Sequence, residues 1–181
     1  MKKLLIFLCF FGFTAFTFAS CRGKDDAKLD KTYTDNELGF SVSYPSGWTQ
    51  SDYEPGVVFF QAPQRSGFSA SFGIVTDAPA DPRFDNLTKE DFLKEIPEEI
   101  RDLKLLDFQK ITFAGKPCTT AVFDSVRDSG KLRQKQYLFN RNGRLFTIIF
   151  TSLRSDYEYY SQLFDKIAQS LVFTGNSGAG G

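Results

Sequence analysis

At 181 residues, the chain is long enough for one domain with one sizeable core. Hydrophobic residues make up 41% and charged residues 24%, an ordinary globular mixture. Lysine plus arginine equals aspartate plus glutamate at 22 each, and histidine is absent. This balance excludes a bulk electrostatic attraction to nucleic acid and removes the commonest general base and metal ligand.

Lys2 and Lys3 form a positive start, and Leu4 to Phe13 is an almost unbroken apolar run, continued more weakly to Phe18. That suits a signal peptide and falls short of the roughly 20 residues a spanning helix needs. Ala19 and Ser20 are small, as a signal peptidase requires near its cut. Phe18-Ala19-Ser20-Cys21 resembles the lipobox of bacterial lipoproteins, with Phe18 where leucine is commonest. In those proteins the cysteine thiol becomes a diacylglyceryl thioether and the leader is cut before it. The resemblance implies a signal peptide over residues 1–20, lipid attachment at Cys21 and a bacterial cell-envelope address on the periplasmic or surface-exposed side. Each buried acyl methylene contributes roughly 0.8 kcal/mol, so two chains hold a protein lastingly. The competing reading is an ordinary secretory leader whose Cys21 pairs elsewhere. Without Lys2 and Lys3 the chain carries 20 basic against 22 acidic residues, a charge of about −2. Cys9 leaves with the leader, and lipidation of Cys21 leaves Cys118 alone.

Residues 21–31 are polar and charged, which predicts a flexible tether. Lys24-Asp25-Asp26 resembles an export signal of some surface-exposed lipoproteins; a plain solvated spacer is the alternative. A domain over 32–174 follows, then a glycine-rich tail at 175–181.

Phe40-Ser41-Val42-Ser43-Tyr44 alternates, the mark of a half-buried strand. Pro45-Ser46-Gly47 turns the chain and Trp48 anchors it. Val57–Phe60 and Ser69–Thr76 read as two further strands. Asp77 to Asn86 is a loop rich in proline and aspartate. Thr88 with Asp91 predicts a helix N-terminus, Leu87 a staple, and Lys89 to Ile96 a helix. Glu98 to Leu103 reads as a continuation, because Phe92, Ile96, Ile100 and Leu103 share helical spacing. Strands return from Leu105, with Leu106, Phe108, Ile111 and Phe113 expected inward. Asp128-Ser129-Gly130 and Arg141-Asn142-Gly143 predict hairpin turns. "LFTIIFT" is apolar on both faces, so it belongs at the sheet centre. Ser155 and Glu158 read as a capping box for a last helix, whose core stripe is Tyr157, Tyr160, Phe164, Ile167 and Leu171. Tyr159 faces outward. The order predicts an α+β fold: an antiparallel sheet flanked by helices on both faces, an α/β/α sandwich.

"GFSVSYPSGW", "YLFNRNGRLFTIIFTS" and a closing helix ending "IAQSLVF" together resemble the PsbP-like domains. That group includes the extrinsic subunit of the photosynthetic oxygen-evolving complex, DcrB-like bacterial envelope lipoproteins and a eukaryotic Ran-binding import factor. The resemblance covers roughly Thr32 to Phe173. It implies an antiparallel sheet with helices and, for most members, action by binding proteins. It transfers no functional residue beyond the structural Tyr44-Pro45-Ser46-Gly47-Trp48 turn.

Arg127, Lys131, Arg133 and Lys135 gather at one hairpin as a candidate site for anionic partner groups. Charge protection of a sheet edge is the competing reading. Both faces of that hairpin end look polar, so it is expected to project past the core. Asp77, Asp81 and Asp85 could hold calcium, but they lack the Asp-x-Asp-x-Asp-Gly order and read better as a solvated loop. Cys118 reads as a small buried hydrophobe. Triads built on histidine are impossible, and no glycine-rich phosphate motif is present. The expectation is a non-enzymatic, monomeric envelope lipoprotein, anchored at Cys21, that binds an unidentified envelope protein, without cofactor, metal or nucleic acid. A small-ligand or divalent-metal module is the runner-up; a hydrolase lacking histidine comes last.

Overall fold

The computed structural model describes residues 28–96 and 100–174. The expected signal peptide, Cys21, most of the expected tether and the expected glycine-rich tail lie outside the described residues. The chain runs β1 (Lys31–Asp35), β2 (Phe40–Tyr44), β3 (Thr49–Glu54), β4 (Val57–Gln61), β5 (Ser71–Asp77), a 3-10 helix (Pro82–Asn86) and α1 (Lys89–Glu95). It continues with β6 (Arg101–Phe113), β7 (Lys116–Arg127), β8 (Gly130–Arg141), β9 (Arg144–Leu153), a 3-10 turn (Arg154–Asp156), α2 (Tyr157–Gln169) and β10 (Val172–Phe173).

Two antiparallel sheets form. The large one has the order β3-β4-β5-β9-β8-β7-β6, the small one β1-β2-β10. β9 is the middle strand of the large sheet, as its doubly apolar sequence requires. Its even residues Phe146, Ile148 and Phe150 join the main core, while Leu145 and Ile149 serve clusters on the opposite face. The main core is aromatic: Phe60 stacks on Phe72 with centroids 4.3 Å apart, and Phe139 on Phe146 at 5.5 Å. α2 and the small sheet share this core through Tyr160, Phe164 and Ile167 and through Phe40, Val42 and Tyr44. The Trp48 anchor is buried, between Phe72 and Tyr160.

The other face carries a smaller cluster in which Phe84, Leu87 and Phe92 pack on Ala121, Phe123 and Leu138. The fold is α+β and mostly antiparallel; among the described residues there are two sheets and two α-helices, and the small sheet shares the cover of the main core with α2. Among the described residues no helix is long and apolar enough to cross a membrane.

Local chemistry sets the boundaries. Thr88 Oγ1 accepts from Asp91 N at 3.1 Å and donates to the Asp91 carboxylate at 2.7 Å, so α1 starts where expected. It stops at Glu95, because the proline after Ile96 holds that residue extended (φ −72°, ψ 129°). The expected continuation to Leu103 is thus overturned: Arg101 already belongs to β6. Ile100 and Leu103 still meet the Phe92 cluster, from a strand. A bulge between Leu105 and Asp107 leaves Leu106 without a cross-strand partner, 39% exposed and not inward. Leu105 and Phe108 take the inward positions beside it. The Ser155–Glu158 capping box does not form either. The chain is already in a 3-10 turn there, Asp156 is the N-cap residue, and no side chain caps the helix.

Gly73 shows how tightly β4 and β5 meet. A Cβ there would lie inside the Phe59 ring, against Cε1 and Cδ1. Gly73→Ala is expected to cost about 1–3 kcal/mol by forcing that ring aside. A urea midpoint that stays put would show that the ring is not pinned.

Candidate functional site

The cation-bearing strand β8 turns one face to α2 and the other to the opposite core. Leu132, Gln134 and Gln136 are buried, and Gln134 Nε2 donates to Thr151 Oγ1 at 3.1 Å. The hairpin therefore does not project past the core; its polar residues are packed. On the α2 side, Arg133 reaches across the ladder to Asp124, opposite it in register. Nε donates to Oδ1 at 2.7 Å and Nη2 to Oδ2 at 3.0 Å, a two-pronged pair. The Asp124 carboxyl is held below its ordinary value, chiefly by the Arg133 hydrogen bonds, with burial opposing. Lys135 Nζ donates to Asp165 of α2 at 2.5 Å, and Tyr137 Oη donates to the same oxygen at 3.2 Å. Burial opposes the Lys135 charge, but the bonds to Asp165 and Tyr137 outweigh it and raise its pKa. Arg127 lies opposite Gly130 and is half-buried. Of the four expected contact residues, Lys131 is the exposed one.

The same end of the sheet gathers residues that the sequence did not single out. Lys131, Leu153, Arg154 and Ser155 line a shallow depression of about 390 Å³. The Arg154 side chain is 56% exposed and leans toward Asp124 at 3.8 Å. Asp156, in the same 3-10 turn, draws Arg65 to 4.0 Å from the β4–β5 loop. The Arg65 guanidinium sits 4.1 Å from the Tyr159 ring centroid. Tyr159 faces outward as expected, 41% exposed, with its edge against Tyr160. Lys131, Arg154, Arg65 and Tyr159 thus share one corner.

The other candidates resolve into structural roles. Asp81 caps the 3-10 helix through Arg83 N at 2.9 Å and grips the Arg83 side chain, whose hydrogen bonds lower its pKa. Asp85 accepts from Asn140 Nδ2 at 2.9 Å. Among the described residues, Asp77, Asp81 and Asp85 do not converge on one point, and no group of three potential ligands is found. Cys118 is buried, and that burial pushes its thiol up to about 12, so no thiolate forms at neutral pH.

A second concavity, of about 380 Å³, opens between the β1–β2 hairpin and the β3–β4 turn. Phe40, Val57 and Val58 floor it, and Asp35, Glu37 and Arg144 stand around it. Arg144 opens β9 and Leu153 closes it, so the cleft and the cationic corner lie at opposite ends of the central strand.

Fold and sites together define a two-sheet α+β domain with a corner of cations and aromatics and a separate mixed-charge cleft. The chain belongs to the PsbP-like protein family, whose profile matches residues 18–173. The resemblance drawn from the Tyr44–Trp48 turn and the closing helix therefore stands. Cyanobacterial PsbP from Synechocystis superposes with a TM-score of 0.59 at 18% identity, covering 86% of this chain and 98% of that one. The Pseudomonas aeruginosa protein PA94 matches with a TM-score of 0.57 at 21% identity, covering 78% and 95%. The Saccharomyces cerevisiae Ran-binding protein Mog1p gives a TM-score of 0.59 at 10% identity, covering 81% and 96%. At such identities the likeness carries the fold alone. Comparison with curated protein sequences gave no match.

Proposed function

We propose that this chain is a non-catalytic envelope module, held to a membrane by lipid on Cys21, that binds an acidic surface of a partner protein. The observation that carries the docking part is the corner of Lys131, Arg154, Arg65 and Tyr159. Arginine and tyrosine dominate measured interface energies, and the Arg65–Tyr159 stack is organised before any partner arrives. The buried, protonated Cys118 supports the non-catalytic reading. So does the binding role printed in the name of Mog1p. The anchor rests on the Lys2-Lys3 start, the apolar run and the Phe18–Cys21 box.

The test is co-purification of the full-length protein from crosslinked membranes in detergent. The wild type should bring down a stoichiometric partner. Lys131→Glu with Arg154→Glu should weaken that capture about tenfold or more, with steeper loss at high salt for the wild type. Cys21→Ser should move the protein from the detergent to the aqueous phase. No partner after crosslinking, or undiminished capture by the charge-reversed pair, would overturn the docking reading. Unchanged partition of Cys21→Ser would overturn the anchor.

A further inference from the structure

The cationic corner and the point where the chain leaves for its anchor lie at the same end of the large sheet. Thr49 of β3 pairs with Gln61, Gln61 with Ser71, Ser71 with Thr151 and Thr151 with Gln134, so one row crosses five neighbouring strands. Lys131, Leu153 and the loop carrying Arg65 stand beyond this row, each just past its own strand's member of it. The turn from Pro45 to Trp48 stands beyond it on the same side, because Trp48 directly precedes Thr49. The exit of the chain is pinned to that turn. Asp30 Oδ1 accepts from Ser46 N at 2.6 Å, Asp30 Oδ2 accepts from Ser46 Oγ at 2.8 Å, and Leu29 packs against the main core. From there the Trp48 ring lies 6.4 Å from Tyr160, and Tyr160 lies 4.9 Å from Tyr159 of the corner.

Length decides which way this end looks. Cys21 and Leu29 are eight residue steps apart, which span at most about 30 Å however they are arranged. A compact domain of about 145 residues is roughly 37 Å across. With Cys21 held in a bilayer, the Asp30 end cannot be turned away from it, because the chain would not reach. The corner, at that same end, is kept on the bilayer side.

The charge pattern separates lipid from protein. Asp124 stands 3.8 Å from Arg154, and Asp156 stands 4.0 Å from Arg65, so two of the three cations already face a carboxylate. An unopposed lysine or arginine gains about 1 kcal/mol beside an anionic leaflet, and a patch offset in this way gains little there. Alternating fixed charges beside the Arg65–Tyr159 stack suit a protein surface, on which each group meets its own counterpart.

We infer that the acidic partner is a protein embedded in the same bilayer, which presents its surface to the corner within about one domain width of the headgroups. This rests on the docking and anchoring proposed above and adds where the partner resides. Because the short tether holds the corner in that layer, its length sets the local concentration that the partner meets.

The experiment uses the full-length chain in its own membranes, with Ser155→Cys carrying a benzophenone photocrosslinker at the rim of the corner. Cys118 is buried, so the label goes to the new thiol. Mass spectrometry of the adduct should identify a protein with at least one spanning segment of about 20 apolar residues. Inserting roughly 30 glycine and serine residues between Asp26 and Ala27 lengthens the tether about fourfold and should cut the adduct about eightfold, as the −3/2 power of length. The insertion lies ahead of Leu29, so the melting temperature should not move, which separates a lost partner from a lost fold. Lys131→Glu with Arg154→Glu tests the docking reading by itself and should remove the adduct. If that pair removes it and the longer tether does not, docking stands and this inference falls. A partner without a spanning segment, or an adduct of lipid alone, overturns it as well. An adduct that survives the charge-reversed pair overturns the docking reading and this inference with it.

Discussion

Phe150→Ala is expected to cost about 3–5 kcal/mol, seen as a large fall in the urea midpoint with little change in slope. Phe150 is completely buried on the middle strand. Its ring centroid lies 4.8 Å from Phe164 of α2, 5.9 Å from Phe72 of β5 and 6.1 Å from Tyr137 of β8. Truncation therefore opens a cavity at a junction of four elements that cannot all collapse into it. A loss of that size is a large part of the 5–15 kcal/mol typical of a domain, so the variant should sit near its folding limit. Val172→Ala, on a side chain 56% exposed, should change stability by no more than about 0.5 kcal/mol and serves as the control. Comparable effects from the two would refute the placement of α2 on this core.

Asp124→Asn is expected to cost about 2–3 kcal/mol at neutral pH and to flatten the acid limb of the stability profile. The Asp124 and Arg133 side chains are only 14% and 22% exposed, so replacing the carboxylate with an amide leaves a largely desolvated guanidinium without its counter-charge and with one of its two acceptors turned into a donor. The sign follows from the direction of the shift. Asp124 is lowered from 3.8, so its contribution is complete above that value and fades as pH falls through the lower folded one. Lys135 runs the other way. Its pKa is raised above 10.5, so its contribution is complete below that value and is lost only as pH climbs through the higher folded one. An Asp124→Leu/Arg133→Met pair should recover most of the loss, because the penalty comes from stranding one charge. Equal acid limbs for wild type and Asp124→Asn would show that the pair makes no net contribution.

Much of this architecture could be read from patterning, and the exceptions have causes. β2, β4 and β9 showed themselves because burial on one or both faces leaves a period or an unbroken apolar run. α1 and the two hairpin turns carried their own local chemistry: Thr88 with Asp91, and Asn142 and Gly143 at φ 51° and 71°. β1 and β3 escaped because edge strands need no apolar signature; KTYTD and TQSDYE look like loops until a neighbouring ladder recruits them. Leu106 misled because a single bulged residue reverses the inward alternation, which hydropathy alone does not encode. At the cationic strand, Asp124 was within reach. Counting back from the Asp128-Ser129-Gly130 turn puts it opposite Arg133. Asp165 was not, because only the docking of α2 brings it to Lys135. Arg65, Arg154 and Arg144 were likewise invisible, since their sites consist of loops far apart in sequence that meet only in the finished fold.

The two-residue strand β10 has a consequence for how the molecule is made. Val172 pairs with Ser41 and Phe173 with Phe40, while Ser170 Oγ donates to Ser43 O at 3.2 Å and accepts from Ser43 N at 2.9 Å. The first hairpin is thus completed by a strand far from it in sequence. Without that stretch the small sheet has no third strand, and the wide sequence gap makes its closure slow. The hairpin therefore waits, unclosed, on a segment that reaches it only after α2 has docked.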